Sequence, residues 1–180
     1  MKIIKIKEIF FFVLPSILLL IGCNSNGKSE KLSQQEKKSI QNSIQKEIDI
    51  MIQAVSNKDI DTYMKGMPED FIIYDENGEI ITRLKQKEYA LRDWAIIEKT
   101  LNNEMKIDSI GFMAPDSVYV YTSQRWERIM FQRDGITKDT VITSQLHKEL
   151  WKNRKNRWIG YDVEELGGEI FINGKKYDPN

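Results

Sequence analysis

The distribution of apolar residues changes character three times along the chain. Residues 9–20 (IFFFVLPSILLL) form an almost unbroken apolar run. From Ser33 onward the spacing turns helical: Ile40, Ile44, Ile48, Met51, Ile52 and Val55 recur on one face, and Ser33 and Glu36 have capping-box spacing. This predicts a helix over 34–56. A shorter helix is predicted over 58–65, with Asp59 near its start and Gly66 and Pro68 as its stop. Phe71–Tyr74 and Glu79–Ile81 flank Asp75-Glu76-Asn77-Gly78, a hairpin signal because Asn-Gly readily adopts the left-handed turn conformation. A third helix is predicted over 85–102, with Tyr89, Trp94, Ile97 and Leu101 close to one face and Asn102-Asn103 at its end. The pattern then becomes β, with strands predicted over 105–113, 118–131, 140–151 and 157–163. Beyond Gly167-Gly168, Asn173-Gly174 predicts a small extra hairpin over 169–177. No internal repeat is present.

The first apolar run is shorter than the roughly 18–20 residues needed to cross a bilayer and has the length of an export-signal core. Lys2, Lys5 and Lys7 precede it, and it ends in Leu20-Ile21-Gly22-Cys23. This ending resembles the lipobox of bacterial lipoproteins. The resemblance implies that residues 1–22 are a cleaved signal peptide and that Cys23 carries fatty acyl chains such as palmitate. Residues 23–32, polar and rich in small side chains, would then tether a domain over 33–165 to a membrane of the cell envelope. A C-terminal extension covers 166–180. Asn24 stands where some bacteria place an aspartate retention signal, which points to the outer membrane.

Charge narrows the function classes. The chain holds 27 basic and 27 acidic residues; the leader has three of the first and one of the second, leaving 24 against 26. A nucleic-acid surface needs a clear basic excess, so no nucleic-acid partner is expected. Cys23 is the only cysteine, so the domain has no intrachain disulfide and no cysteine-based metal site. Its core must hold by packing alone.

The order helix, helix, hairpin, helix and four antiparallel strands resembles the nuclear-transport-factor-2-like superfamily. Its local echoes are Asn57-Lys58-Asp59 followed by Tyr63 and Asp70-Phe71, Gly78 in the first hairpin, and Leu146–Leu150 leading through a basic turn to Trp158-Ile159-Gly160-Tyr161. The resemblance spans about 36–165. It implies an α+β cone, with three N-terminal helices and a hairpin packed on a strongly bent antiparallel sheet. It also implies a cavity that in different members serves catalysis, binding or assembly, so fold alone does not decide function.

His147 is the only histidine, and Glu149 shares its strand face two residues on. The pair suits a general base. The neighbouring Lys148, Lys152 and Arg154 favour instead a surface or rim position for the histidine. Asp75, next to Tyr74, is a second candidate base, although its place before Glu76-Asn77-Gly78 favours a turn role. Tyr63, Tyr74, Tyr121, Trp126 and His147 are candidate ligand contacts, because apolar rings with one polar tip commonly line small-molecule sites. Trp94 and Trp158 are expected in the core. No metal or cofactor is expected. These observations favour an envelope lipoprotein, anchored through Cys23, that binds a small apolar ligand or a protein. The alternatives are a small-molecule isomerase or dehydratase with a base in the cone, and a homodimeric assembly module.

Overall fold

The computed structural model describes residues 32–178; the leader, Cys23 and nearly all of the tether lie outside them. Helix α1 (Gln34–Asn57) begins with the expected capping box: the Ser33 hydroxyl accepts from the Glu36 amide at 3.2 Å, and the Glu36 carboxylate accepts from the Ser33 amide at 2.7 Å. The exchange satisfies amides that a helix start leaves unpaired. Helix α2 (Ile60–Lys65) is capped by Asp59, whose carboxylate accepts from the Thr62 amide. The hairpin β1 (Ile72–Tyr74) and β2 (Ile80–Thr82) follows, with Gly78 at φ +85° in its turn.

Helix α3 runs over Arg83–Ile96, shorter at its C-terminus than the sequence predicts. Residues 97–102 instead open strand β3 (Ile97–Ala114), which pairs with β4 (Ser117–Phe131) along its whole length. Ile97 and Leu101 fit a helical stripe by spacing, yet fifteen residues of β4 supply a ladder that local propensity does not register. β5 (Lys138–Arg154) and β6 (Arg157–Ile172) complete the long antiparallel series, and β7 (Lys175–Lys176) closes the small hairpin at Asn173-Gly174. β6 continues through 165 to Ile172, so the segment expected to follow the domain holds the end of that strand and its hairpin with β7. The sheet order is β2-β1-β6-β5-β4-β3, with β7 on β6. It is mixed rather than purely antiparallel, since β1 runs parallel to β6.

Alternating burial along the strands marks the face that the helices cover. Val118, Val120 and Thr122 on β4 and His147, Glu149 and Trp151 on β5 are buried, whereas Tyr121, between two of them, and Leu146, next to His147, are exposed. Ile44 and Ile48 of α1 are fully buried against Val118, Val120, Trp151 and Trp158. Two such side chains contribute about 1.5–3 kcal/mol each through apolar burial. Trp94 packs with Ala90 and Ile97, and meets Tyr63 edge-on at 5.6 Å. The expected core tryptophans, Trp94 and Trp158, are both buried.

The bend is local. Between β5 and β6 the register slips twice, once between Leu146 and His147 and once between Leu150 and Trp151. Each slip leaves an extra residue on β6, which coils the strand and sharpens its twist. The two irregularities bracket His147 and Glu149. Gly168 belongs to the same device: a Cβ there would lie 2.2 Å from the Ser144 carbonyl oxygen, closer than any side chain permits.

Candidate functional site

A cavity of about 140 Å³ lies between the helices and the concave face of the sheet. Met51, Ile52 and Val55 line it from α1, Tyr63 from α2 and Gln86 from α3; Gln124, His147, Glu149 and Trp151 line it from the sheet. Its walls are mostly apolar, with a few polar side chains contributed by both the helices and the sheet.

His147 is buried rather than at the rim, and this corrects the inference drawn from its basic neighbours. Strand alternation reconciles the two facts. Lys148 points outward and pairs with Glu164 at 2.8 Å, while His147 and Glu149 point inward. Burial pushes the imidazole pKa down to about 4 and pushes the Glu149 carboxyl up, because both charged forms lose hydration.

Glu149 is nevertheless fully partnered. The Thr122 hydroxyl donates to Oε1 at 2.7 Å and the Trp151 indole donates to Oε2 at 2.8 Å. These bonds offset part of the desolvation. The Thr122 Oγ1 also lies 3.5 Å from His147 Nδ1, so one hydroxyl touches both titratable groups. On the opposite wall Gln86 Nε2 donates to the Tyr63 hydroxyl at 2.7 Å, and burial raises the phenol pKa. Deeper toward β3, Gln124 donates to Asn103 Oδ1 at 3.0 Å, which leaves Asn103 Nδ2 buried without a partner among the described residues.

Of the residues singled out from sequence, Tyr63, His147 and Glu149 line the cavity together; Tyr74, Tyr121, Trp126 and Asp75 do not. Tyr74 and Tyr121 are 44% and 39% exposed, which removes both from the cavity wall. Trp126 packs beside Trp94 under the Arg128 guanidinium, 4.2 Å from its ring. Asp75 is a turn residue: its Oδ1 accepts from the amides of Asn77 and Glu79. Thr122, Gln86, Gln124 and Trp151 carry no local signal that marks them as site residues. Thr122 and Trp151 share the inward phase of His147, but which phase is inward depends on sheet curvature. Among the described residues no group of three or more His, Cys, Asp or Glu side chains could hold a metal ion.

No protein-family model matches the chain, and no curated protein matches it in sequence. Solved structures do. A type 2 hexachlorocyclohexane dehydrochlorinase superposes with a TM-score of 0.62 at 10% identity, over 82% of this chain and 99% of its own. A scytalone-dehydratase-like protein of Novosphingobium aromaticivorans gives 0.66 at 9% identity, over 82% and 94%. A nuclear-transport-factor-2-like protein of Cytophaga hutchinsonii gives 0.56 at 13% identity, over 74% and 98%. The domain has the nuclear-transport-factor-2-like fold.

Proposed function

We propose that this chain is a lipid-anchored envelope protein whose cone-shaped domain binds one small, largely apolar molecule bearing a polar group. The observation that carries the reading is the cavity itself: mostly apolar walls with His147, Glu149 and the Tyr63–Gln86 pair as its polar contacts. Its volume of about 140 Å³ is close to the ~150 Å³ of an engineered cavity that holds one benzene, so the occupant is of single-ring size. Apolar walls supply the affinity and a few placed polar groups fix orientation.

Anchoring rests on the order of basic residues, short apolar run and Leu20-Ile21-Gly22-Cys23. Two or three acyl chains on Cys23 hold a protein firmly at a bilayer, at about 0.8 kcal/mol per buried methylene.

Native mass spectrometry of the protein extracted from its own membranes tests both parts. The expected result is a chain beginning at an acylated Cys23 that carries one additional small molecule. A chain beginning at Met1 overturns the anchor. A chain with an empty domain, and no uptake of added phenol, overturns ligand binding.

One observation favours a second reading, a small-molecule isomerase or dehydratase. The cavity wall holds a histidine beside a buried carboxyl, the pairing that proton transfer needs.

A further inference from the structure

The contacts among Glu149, Thr122 and His147 tie the tautomer of the ring to the protonation of the carboxyl. Thr122 has one hydroxyl proton. When Glu149 is ionised that proton is given to Oε1 at 2.7 Å, so toward His147 the Thr122 oxygen can only accept. In that state the ring proton sits on Nδ1. The other nitrogen, Nε2, bears a lone pair, has no hydrogen-bond partner among the described residues, and belongs to a side chain in the cavity wall.

From this geometry we propose that Glu149, Thr122 and His147 form a hydroxyl-bridged proton relay, which takes a proton from a small molecule at His147 Nε2 and stores it on Glu149. The inference rests on a small molecule occupying the cavity, and it names the class: one with an acidic O–H, N–H or C–H group. In the transfer an N–H bond forms at Nε2 as the molecule's bond to hydrogen breaks, and the electron pair stays on the molecule. The Nδ1 proton passes to Thr122 Oγ1 while the original Thr122 proton passes to Glu149 Oε1. At the end Glu149 is a neutral acid donating to Thr122, Thr122 donates to Nδ1, and the ring is the Nε2–H tautomer. One proton has entered, and the imidazole is neutral at both ends.

The bridge answers an electrostatic problem. A histidine this buried resists becoming an imidazolium, so alone it is a poor base near neutral pH. Moving the proton through to a carboxyl whose proton affinity is raised by burial avoids that cation. Two titratable groups face the pair from other elements: Tyr63 on α2, which lines the cavity, and Glu165 on β6, which is opposite His147 in the strand register. Burial, with Asp75 and Glu76 nearby, raises the Glu165 carboxyl.

His147 is the sole histidine, so two-bond proton–nitrogen correlation spectra of the full chain report its tautomer without ambiguity. As pH falls, the ring is expected to pass directly from Nδ1–H to Nε2–H, with no imidazolium until pH approaches about 4. Thr122→Val abolishes the change, Thr122→Ser preserves it, Glu149→Gln fixes one tautomer, and Glu165→Gln leaves the change in place. A single tautomer at every pH, an imidazolium forming where free histidine titrates, or a change that survives Thr122→Val each overturns the relay. The wild-type spectra decide alone if Thr122→Val does not fold. They need no ligand, so a failed relay is distinguishable from failed binding: the former leaves the small molecule seen by native mass spectrometry untouched.

Discussion

Gln45 of α1 binds the edge of the sheet at Met105 as a neighbouring strand would. Its Nε2 donates to the Met105 carbonyl at 2.9 Å, and its Oε1 accepts from the Ile107 amide at 3.2 Å. β3 is an edge strand, and one side-chain amide satisfies two of its outward backbone groups. Gln45→Ala is expected to lower stability by about 1–3 kcal/mol, the cost of stranding partly buried polar groups. Gln45→Glu does not rescue it, since a second oxygen then faces the Met105 carbonyl. Urea midpoints measure both. An unchanged midpoint for Gln45→Ala would show that water replaces the amide at no cost.

Two glycines separate backbone strain from steric exclusion. Gly78 has φ +85°, and a methyl group there would find open space within 4 Å, so Gly78→Ala costs only the left-handed penalty of ~1–2 kcal/mol. At Gly168 the methyl would meet the Ser144 carbonyl at 2.2 Å and the Gln145 Cα at 3.2 Å, both backbone atoms that cannot rotate away. Gly168→Ala must part β5 from β6 beside the bulge that orients His147. It is expected to be the more destabilising of the two, and to lower the affinity for phenol as well. Thermal unfolding and phenol titration test the pair, and the reverse order of melting temperatures would show that the β5–β6 ladder shifts freely.

Asp75 and His147 are both legible in the sequence as candidate bases, and the structure separates them. Asp75 holds the amides of a turn, whereas His147 lines the cavity. Asp75→Asn is expected to leave phenol affinity unchanged within about twofold, because it sits in the turn and removes less than one hydrogen bond's worth of binding. His147→Ala is expected to weaken it by about fivefold or more, as one hydrogen bond of about 1 kcal/mol is lost from a desolvated site. Equal effects of the two substitutions would place the binding site outside the cavity.

Much of this fold can be read from local pattern. Ser33 with Glu36, Asp59, and Asn77-Gly78 announce their caps and turn because those interactions are made within a few residues. What escapes local reading is set by distant partners. Ile97–Leu101 has helical spacing but joins β4, far along the chain. The site escapes for the same reason. His147 and Glu149 share a face by simple alternation, yet which face is covered is set by distant packing, where α1 lies on the inward side chains of β4 and β5. Lys148 and Lys152 mark the neighbouring, outward phase, and they mislead only when strand alternation is ignored. Thr122 becomes part of the site through pairing opposite His147, which nothing near residue 122 announces.

The two buried titratable groups give opposite pH dependences of stability. In the folded protein His147 titrates at about 4 against an ordinary 6.5, so between these values the unfolded chain holds a proton that the folded one does not. Stability from this source is complete above about pH 6.5 and falls by ~3 kcal/mol as pH drops to about 4, at 1.36 kcal/mol per pH unit. Glu149 is raised above its ordinary 4.5, so the folded state holds the extra proton. Its contribution is complete below that value and is lost as pH rises through the folded pKa. In the wild type the slopes oppose each other across the mildly acidic range. Glu149→Gln removes the counterweight, so its stability should fall more steeply with acid than the wild type's. His147→Leu should do the reverse, with stability that declines as pH rises from about 4.5. Urea denaturation of the three proteins across this range gives the slopes directly. Parallel curves would mean that neither group changes its proton affinity on folding, and the burial of charge-bearing side chains against the cavity would then have no energetic consequence.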